Sequence, residues 1–173
     1  MIVVVGGHSR NIGKTTVMCR LIAATRDANW TAVKITQHGH SVCSNDGAAC
    51  DCAPADAVHP FVVDEQATAD ETDSGRYLQA GAVRSYWLRT RSGQLAEGMD
   101  AVRKILATSA NVIIESNSIM DFLTPDAYVF VRDPRVADFK LSAQRHVKRA
   151  TRLVAMDEPA IEEWFAQTVF RRT

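Results

Sequence analysis

The residues best suited to chemistry stand near the start of the chain. Gly13-Lys14-Thr15 follows a β-branched run, Ile2 to Val5, across Gly6-Gly7-His8-Ser9-Arg10-Asn11-Ile12. A buried strand, a glycine-bearing turn and a helix start, in that order, supply what a nucleoside triphosphate requires: backbone N–H groups, an ammonium and a magnesium-binding hydroxyl. Lys14 is expected to reach the β and γ phosphates, Thr15 to ligate magnesium and Thr16 to meet the α phosphate. Gly7, His8, Ser9, Asn11, Ile12 and Gly13 form the loop around them. The alternative is an ordinary glycine-rich turn. Further on, Val112-Ile113-Ile114-Glu115 is an apolar strand ending in a carboxylate, placed to complete a magnesium shell. The alternative for Glu115 is a glutamate that merely ends its strand.

A second constellation is soft. Cys43, Cys50 and Cys52, with His59 beyond and His38 and His40 before them, offer thiolate and imidazole ligands for zinc, or thiolates for an iron–sulfur cluster. Cys50-x-Cys52 is not the C-x-x-C knuckle, so the fourth ligand stays open between histidines. A Cys3His zinc site would order a polar segment that has few apolar residues of its own. Free thiols in a loop are the alternative. Cys19 stands apart, at a helix position suited to a small buried hydrophobe.

The elements that must position these groups follow from periodicity. A chain of 173 residues, 46% apolar and 23% charged, is suited to one domain over residues 1–173. Twenty basic residues balance twenty acidic ones, which gives no surface that seeks nucleic acid or membrane. No apolar run is long enough to span a bilayer and no basic leader precedes the first strand, so the expected location is the cytoplasm. The expected elements are strands at Ile2 to Val5, Thr31 to Thr36, Phe61 to Asp64, Ser85 to Arg89, Val112 to Glu115, Ala127 to Val131 and Leu153 to Met156. Helices are expected at Gly13 to Ala28, Thr72 to Gly81, Gln94 to Ala107, Ala137 to Ala150 and from Glu158-Pro159 onward. That alternation predicts an α/β fold: a P-loop three-layer sandwich with a mostly parallel central sheet. Ligands in such folds sit beyond the carboxyl ends of the strands.

Two stretches interrupt the pattern. Residues 41–75 carry eight acidic side chains and no Lys or Arg, and read as an inserted, cysteine-containing loop. Between Arg132 and Arg152, seven Lys or Arg face two Asp. The helix there could receive an anionic partner, or be a solvated face. Trp164, Phe165 and Val169 are expected to cover the sheet, with a dimer contact as the alternative.

Five residues separate Gly7 from Gly13, one more than in a standard phosphate loop, and His8 holds the place of the first glycine. This longer form resembles the loop of dethiobiotin synthetase and of cobyrinate amidases, members of the SIMIBI class. Further segments resemble the MobB family, the adaptors of molybdopterin-guanine dinucleotide biosynthesis: Val33-Lys34 through His38 and His40, Asp73-Ser74 with Arg76 and Ala80-Gly81-Ala82, the strand ending in Glu115, and Tyr128 to Val131 with Arg132-Asp133. The resemblance implies GTP and magnesium binding, slow hydrolysis, a homodimer, and service to a partner enzyme of molybdenum-cofactor assembly. It places Lys34 and Asp73 near the nucleotide, with Asp73 behind the magnesium, orienting the attacking water, or simply capping a helix. Arg10 lies near the signature lysine that some relatives extend across a dimer, one residue out of register, and could supply the same charge. The blander reading, a solvated loop arginine, is the preferred one.

The chain departs from the family at Ser116-Asn117-Ser118, where a glycine is usual, in the longer loop and in the cysteine-bearing insert. No Asn-Lys-x-Asp motif for guanine is present, so GTP over ATP rests on the resemblance, and Asp133 or Asp157 are the carboxylates that could accept guanine donors. Two rivals remain. One is a metallochaperone NTPase that uses the Cys/His loop. The other is an ATP-dependent ligase or kinase, in which Lys34 and the loop after the second strand hold an acid substrate.

Overall fold

A computed structural model describes residues 1–38 and 61–170. The proposed ligands His40, Cys43, Cys50, Cys52 and His59 lie outside the described residues. Seven strands of the described residues form one sheet: β1 (Ile2–Gly7), β2 (Thr31–His38), β3 (Phe61–Glu65), β4 (Arg84–Arg91), β5 (Val112–Glu115), β6 (Ala127–Val131) and β7 (Arg152–Val154), in the order β3-β4-β2-β5-β1-β6-β7. Every pairing is parallel except β3 on β4. Among the described residues, five α-helices accompany them: α1 (Lys14–Ala24), α2 (Asp73–Ala80), α3 (Leu95–Thr108), α4 (Leu141–His146) and α5 (Ile161–Phe170).

The near-continuous apolar runs explain the parallel sheet, since strands covered on both faces need no polar alternation. Val3, Val5, Ile113 and Val129 pack on one face against Val17 and Leu21 of α1, Tyr77 of α2 and Phe165 of α5. Val4, Ile114, Tyr128 and Phe130 turn to the other face, against Leu95, Met99 and Val102 of α3 and Ala143 of α4. The outcome is the expected three-layer α/β arrangement. Trp164 packs half-buried beside Phe165, so this helix face covers the sheet.

Several boundaries differ from expectation for identifiable reasons. The first helix stops at Ala24 rather than Ala28, because the Thr25 hydroxyl donates to the Leu21 carbonyl at 2.7 Å and accepts from the buried Trp30 indole at 2.8 Å. A 3-10 turn at Arg26–Ala28 completes the segment. At the far end of the acidic stretch the expected helix forms: Thr72 caps α2 by accepting from the Gly75 amide at 3.1 Å, and Gly81 ends it at a φ of +111° that other residues resist. The largest difference is the basic helix expected at Ala137 to Ala150. Only Leu141–His146 is α-helical, followed by a 3-10 turn at Val147–Arg149. Residues 136–140 are instead tied to the Gly7–Gly13 loop. Among the described residues, no helix is long and apolar enough to cross a membrane.

Strand order sets the position of the site. After β1 the chain crosses through α1 to β2 on one side, and after β5 it crosses to β6 on the other. The carboxyl ends of β1 and β5 therefore open onto a crevice with connections leaving in opposite directions, the place where such sheets take ligands.

Candidate functional site

The register aligns the chemistry before any side chain is considered. Val5 of β1 and Lys34 of β2 both pair with Glu115 of β5, so one row across the sheet carries a cation and a carboxylate beside the start of the loop. Beyond it lies a cavity of about 1030 Å³, lined by Ser9, Arg10, Asn11, Gly13, Lys14, Thr15 and Thr16, by Lys34, Asp73, Arg76 and Glu115, and by Lys140 and Arg145.

Gly13 closes the loop at a φ of +86°, with the Met156 side chain against the position a Cβ would fill. This left-handed turn lets α1 begin at once. The first helical bond is from the Val17 amide to the Gly13 carbonyl at 2.9 Å. The amides of Lys14, Thr15 and Thr16 therefore have no partner within the helix, and they stand at its positive end. The Lys14 ammonium folds back to donate to the Ser9 carbonyl at 2.6 Å. Burial lowers its pKa, Lys34 and Arg10 add to that effect, and Glu115 opposes it.

Glu115 is almost fully buried, and one of its oxygens is the meeting point of two elements. The Thr15 hydroxyl donates to it at 2.7 Å, and the buried Tyr77 hydroxyl donates to the same oxygen from α2. Burial, followed by the charge of Glu115, holds that phenol protonated well above its ordinary range. Lys34 pairs with Asp73, and Arg76 approaches the other Asp73 oxygen at 3.7 Å. Burial is the main reason the Lys34 pKa falls.

The remaining expected loop residues serve from beneath. Ile12 is buried in the core. Gly7 is clamped at both backbone groups by Asn117, whose amide donates to the Gly7 carbonyl at 2.7 Å while its oxygen accepts from the Gly7 amide at 2.9 Å. His8 is buried against Phe139, with Nε2 3.1 Å from the Val136 carbonyl, so its side chain supports the loop and does not line the cavity. Arg10 is exposed at the rim.

Nothing in the sequence marks Tyr77, Asn117 or Lys140 as a site residue. Arg20 belongs with them, because its guanidinium donates to the Met156 and Glu158 carbonyls at 2.7 and 2.8 Å and pairs with Glu162. It holds the β7–α5 turn beside Gly13. Asp133, a candidate for guanine, has its carboxylate occupied by the Arg135 guanidinium at 2.9 Å, and neither Asp133 nor Asp157 lines the cavity. Cys19 is half-buried, with Sγ 3.6 Å from the Arg76 carbonyl, and burial raises its pKa.

Among the described residues, no cluster of three or more His, Cys, Asp or Glu stands ready to hold a metal ion. A magnesium ion needs fewer, since it keeps several waters and takes oxygens from substrate phosphates. The Thr15 hydroxyl and Glu115 carboxylate, already converged at one point, are a donor set that fits it. No family model, curated protein or solved structure matches this chain, so what this site does rests on its own residues.

Proposed function

We propose that the chain binds a nucleoside triphosphate with magnesium in the cavity at the ends of β1, β2 and β5, and hydrolyses it slowly. The observation that carries this reading is the convergence of the Lys14 ammonium, the first-turn amides of α1 and the Thr15–Glu115 oxygen pair on one crevice. Phosphate oxygens would replace the Ser9 carbonyl as the acceptor for Lys14, while the Lys14, Thr15 and Thr16 amides bind further oxygens. Thr15 and Glu115 would hold magnesium, which when bound neutralises phosphate charge. Slow turnover is supported by the state of Asp73: paired with Lys34 and flanked by Arg76, it is poorly placed to accept a proton from an attacking water.

The MobB resemblance selects GTP as the nucleotide and extends the reading to a cytoplasmic homodimer that assists a partner enzyme in molybdenum-cofactor guanylation. The test is phosphate release from MgGTP and MgATP by the purified chain, with and without small carboxylic acids. Slow, magnesium-dependent turnover that prefers GTP and ignores the acids is expected. Strong stimulation by an acid would transfer the site to the ligase or kinase reading, and failure to bind either triphosphate would sink both.

A further inference from the structure

Residues 136–140 lie along the loop as a strap, and three contacts tie them to it. The Lys140 amide donates to the His8 carbonyl at 2.9 Å, the Ser9 hydroxyl donates to Asp138 at 2.5 Å, and His8 Nε2 lies 3.1 Å from the Val136 carbonyl. The anchors on the loop are His8 and Ser9, which occupy its unusual first positions. The strap needs them, and it keeps this segment out of the following helix.

One consequence is that Lys140 is carried, half-buried, to the wall of the cavity that also holds Lys14 and Arg10. The carboxylates of that cavity are already engaged. Asp73 pairs with Lys34, Asp121 lies 3.5 Å from Arg145, and Glu115 accepts from Thr15 and Tyr77. Lys14, Arg10 and Lys140 are left as a group of like charges around the loop. Arg10 is exposed at the rim, but the two lysines are partly buried, and holding like charges there is unfavourable unless an anion joins them.

We propose that Lys140 is a phosphate-binding cation, delivered by the strap within the same chain to the phosphates that Lys14 holds. This rests on the nucleotide reading above. The electrostatics agree with the geometry. Burial, then Lys14 and Arg10, bring the Lys140 pKa down to about 8, against a smaller opposing pull from Asp138. A bound triphosphate would raise it again. Binding therefore favours the protonated form, and affinity should fall as pH rises through about 8.

The test compares MgGTP affinity of the wild type with Lys140→Met and Lys140→Arg, each across pH 7 to 9. Methionine keeps the backbone bond to His8 and most of the apolar stem. Affinity about ten- to hundredfold weaker in Lys140→Met is expected, as for the loss of a charge-assisted hydrogen bond. Its pH dependence should be flatter, and Lys140→Arg should recover most of the affinity. Wild-type affinity in Lys140→Met would overturn the proposal and leave the nucleotide reading standing, as would equal weakening in both variants, which would mean a strap damaged rather than a charge lost. A wild type that does not bind MgGTP would overturn the two together.

Discussion

The β1–α1 corner and the β2–α2 corner each send a lysine into the same cavity, and the lysines differ in what they hold. Both are largely buried, and burial lowers both pKa values. Lys14 donates to a neutral carbonyl of its own loop, whereas Lys34 is paired with the Asp73 carboxylate. A carbonyl acceptor can be exchanged for a phosphate oxygen with a gain in charge complementarity. An ion pair at the same depth must first be broken, which leaves the Asp73 carboxylate to the more distant Arg76 alone. Under the nucleotide reading the first corner is therefore the one suited to take a ligand, and the second is a brace that fixes α2. Glu115 joins them, because its oxygen takes the Thr15 hydroxyl from one corner and the Tyr77 hydroxyl from the other.

Three substitutions bear on that difference. Lys14→Ala should have the largest effect, weakening MgGTP binding roughly a hundredfold or more in a calorimetric titration. Its unfolding temperature should hold or rise, since the change removes a desolvated cation that has no carboxylate partner. Lys34→Met should reverse the pattern. Chemical denaturation should show a loss of about 1–2 kcal/mol from Asp73, a partly exposed group left with Arg76 alone, while MgGTP affinity changes by less than about tenfold. If Lys34→Met cost more affinity than Lys14→Ala, the roles assigned to the two corners would be exchanged. Tyr77→Phe should be the mildest, because the ring packing survives. Removing one hydrogen bond to Glu115 should weaken the magnesium-dependent part of nucleotide binding severalfold and leave binding in the presence of a chelator unchanged. An equal loss with and without magnesium would make Tyr77 a packing residue only.

How much of this was legible in the sequence varies with the range of the forces involved. Val112–Glu115 and Ala127–Val131 have the bounds that sequence alone suggests, because each is an unbroken apolar run between polar neighbours, and burial on both faces leaves little choice. The loop and the carboxylate at position 115 were legible for the same reason: a buried strand must end somewhere, and its polar terminus faces the crevice. Tyr77 falls at the centre of the helix expected over Thr72 to Gly81. Nothing in its spacing announces that its hydroxyl meets a carboxylate 38 positions away. Asn117 appeared only as a departure from a family glycine, yet it clamps Gly7 across the sheet. The strap has a composition that suits a helix, and the bonds that hold it to His8 and Ser9 span more than 120 positions. Long-range side-chain bonds leave no periodicity, so they become visible only once the strands have brought their partners together.

The most direct measurement is the amide chemical-shift map of the full chain, titrated with MgGTP. Saturable shifts are expected, largest at Gly13, Lys14, Thr15 and Thr16, with a second group at Glu115 and Lys140. No saturable shift at the loop, or a saturable response centred elsewhere, would contradict the nucleotide reading.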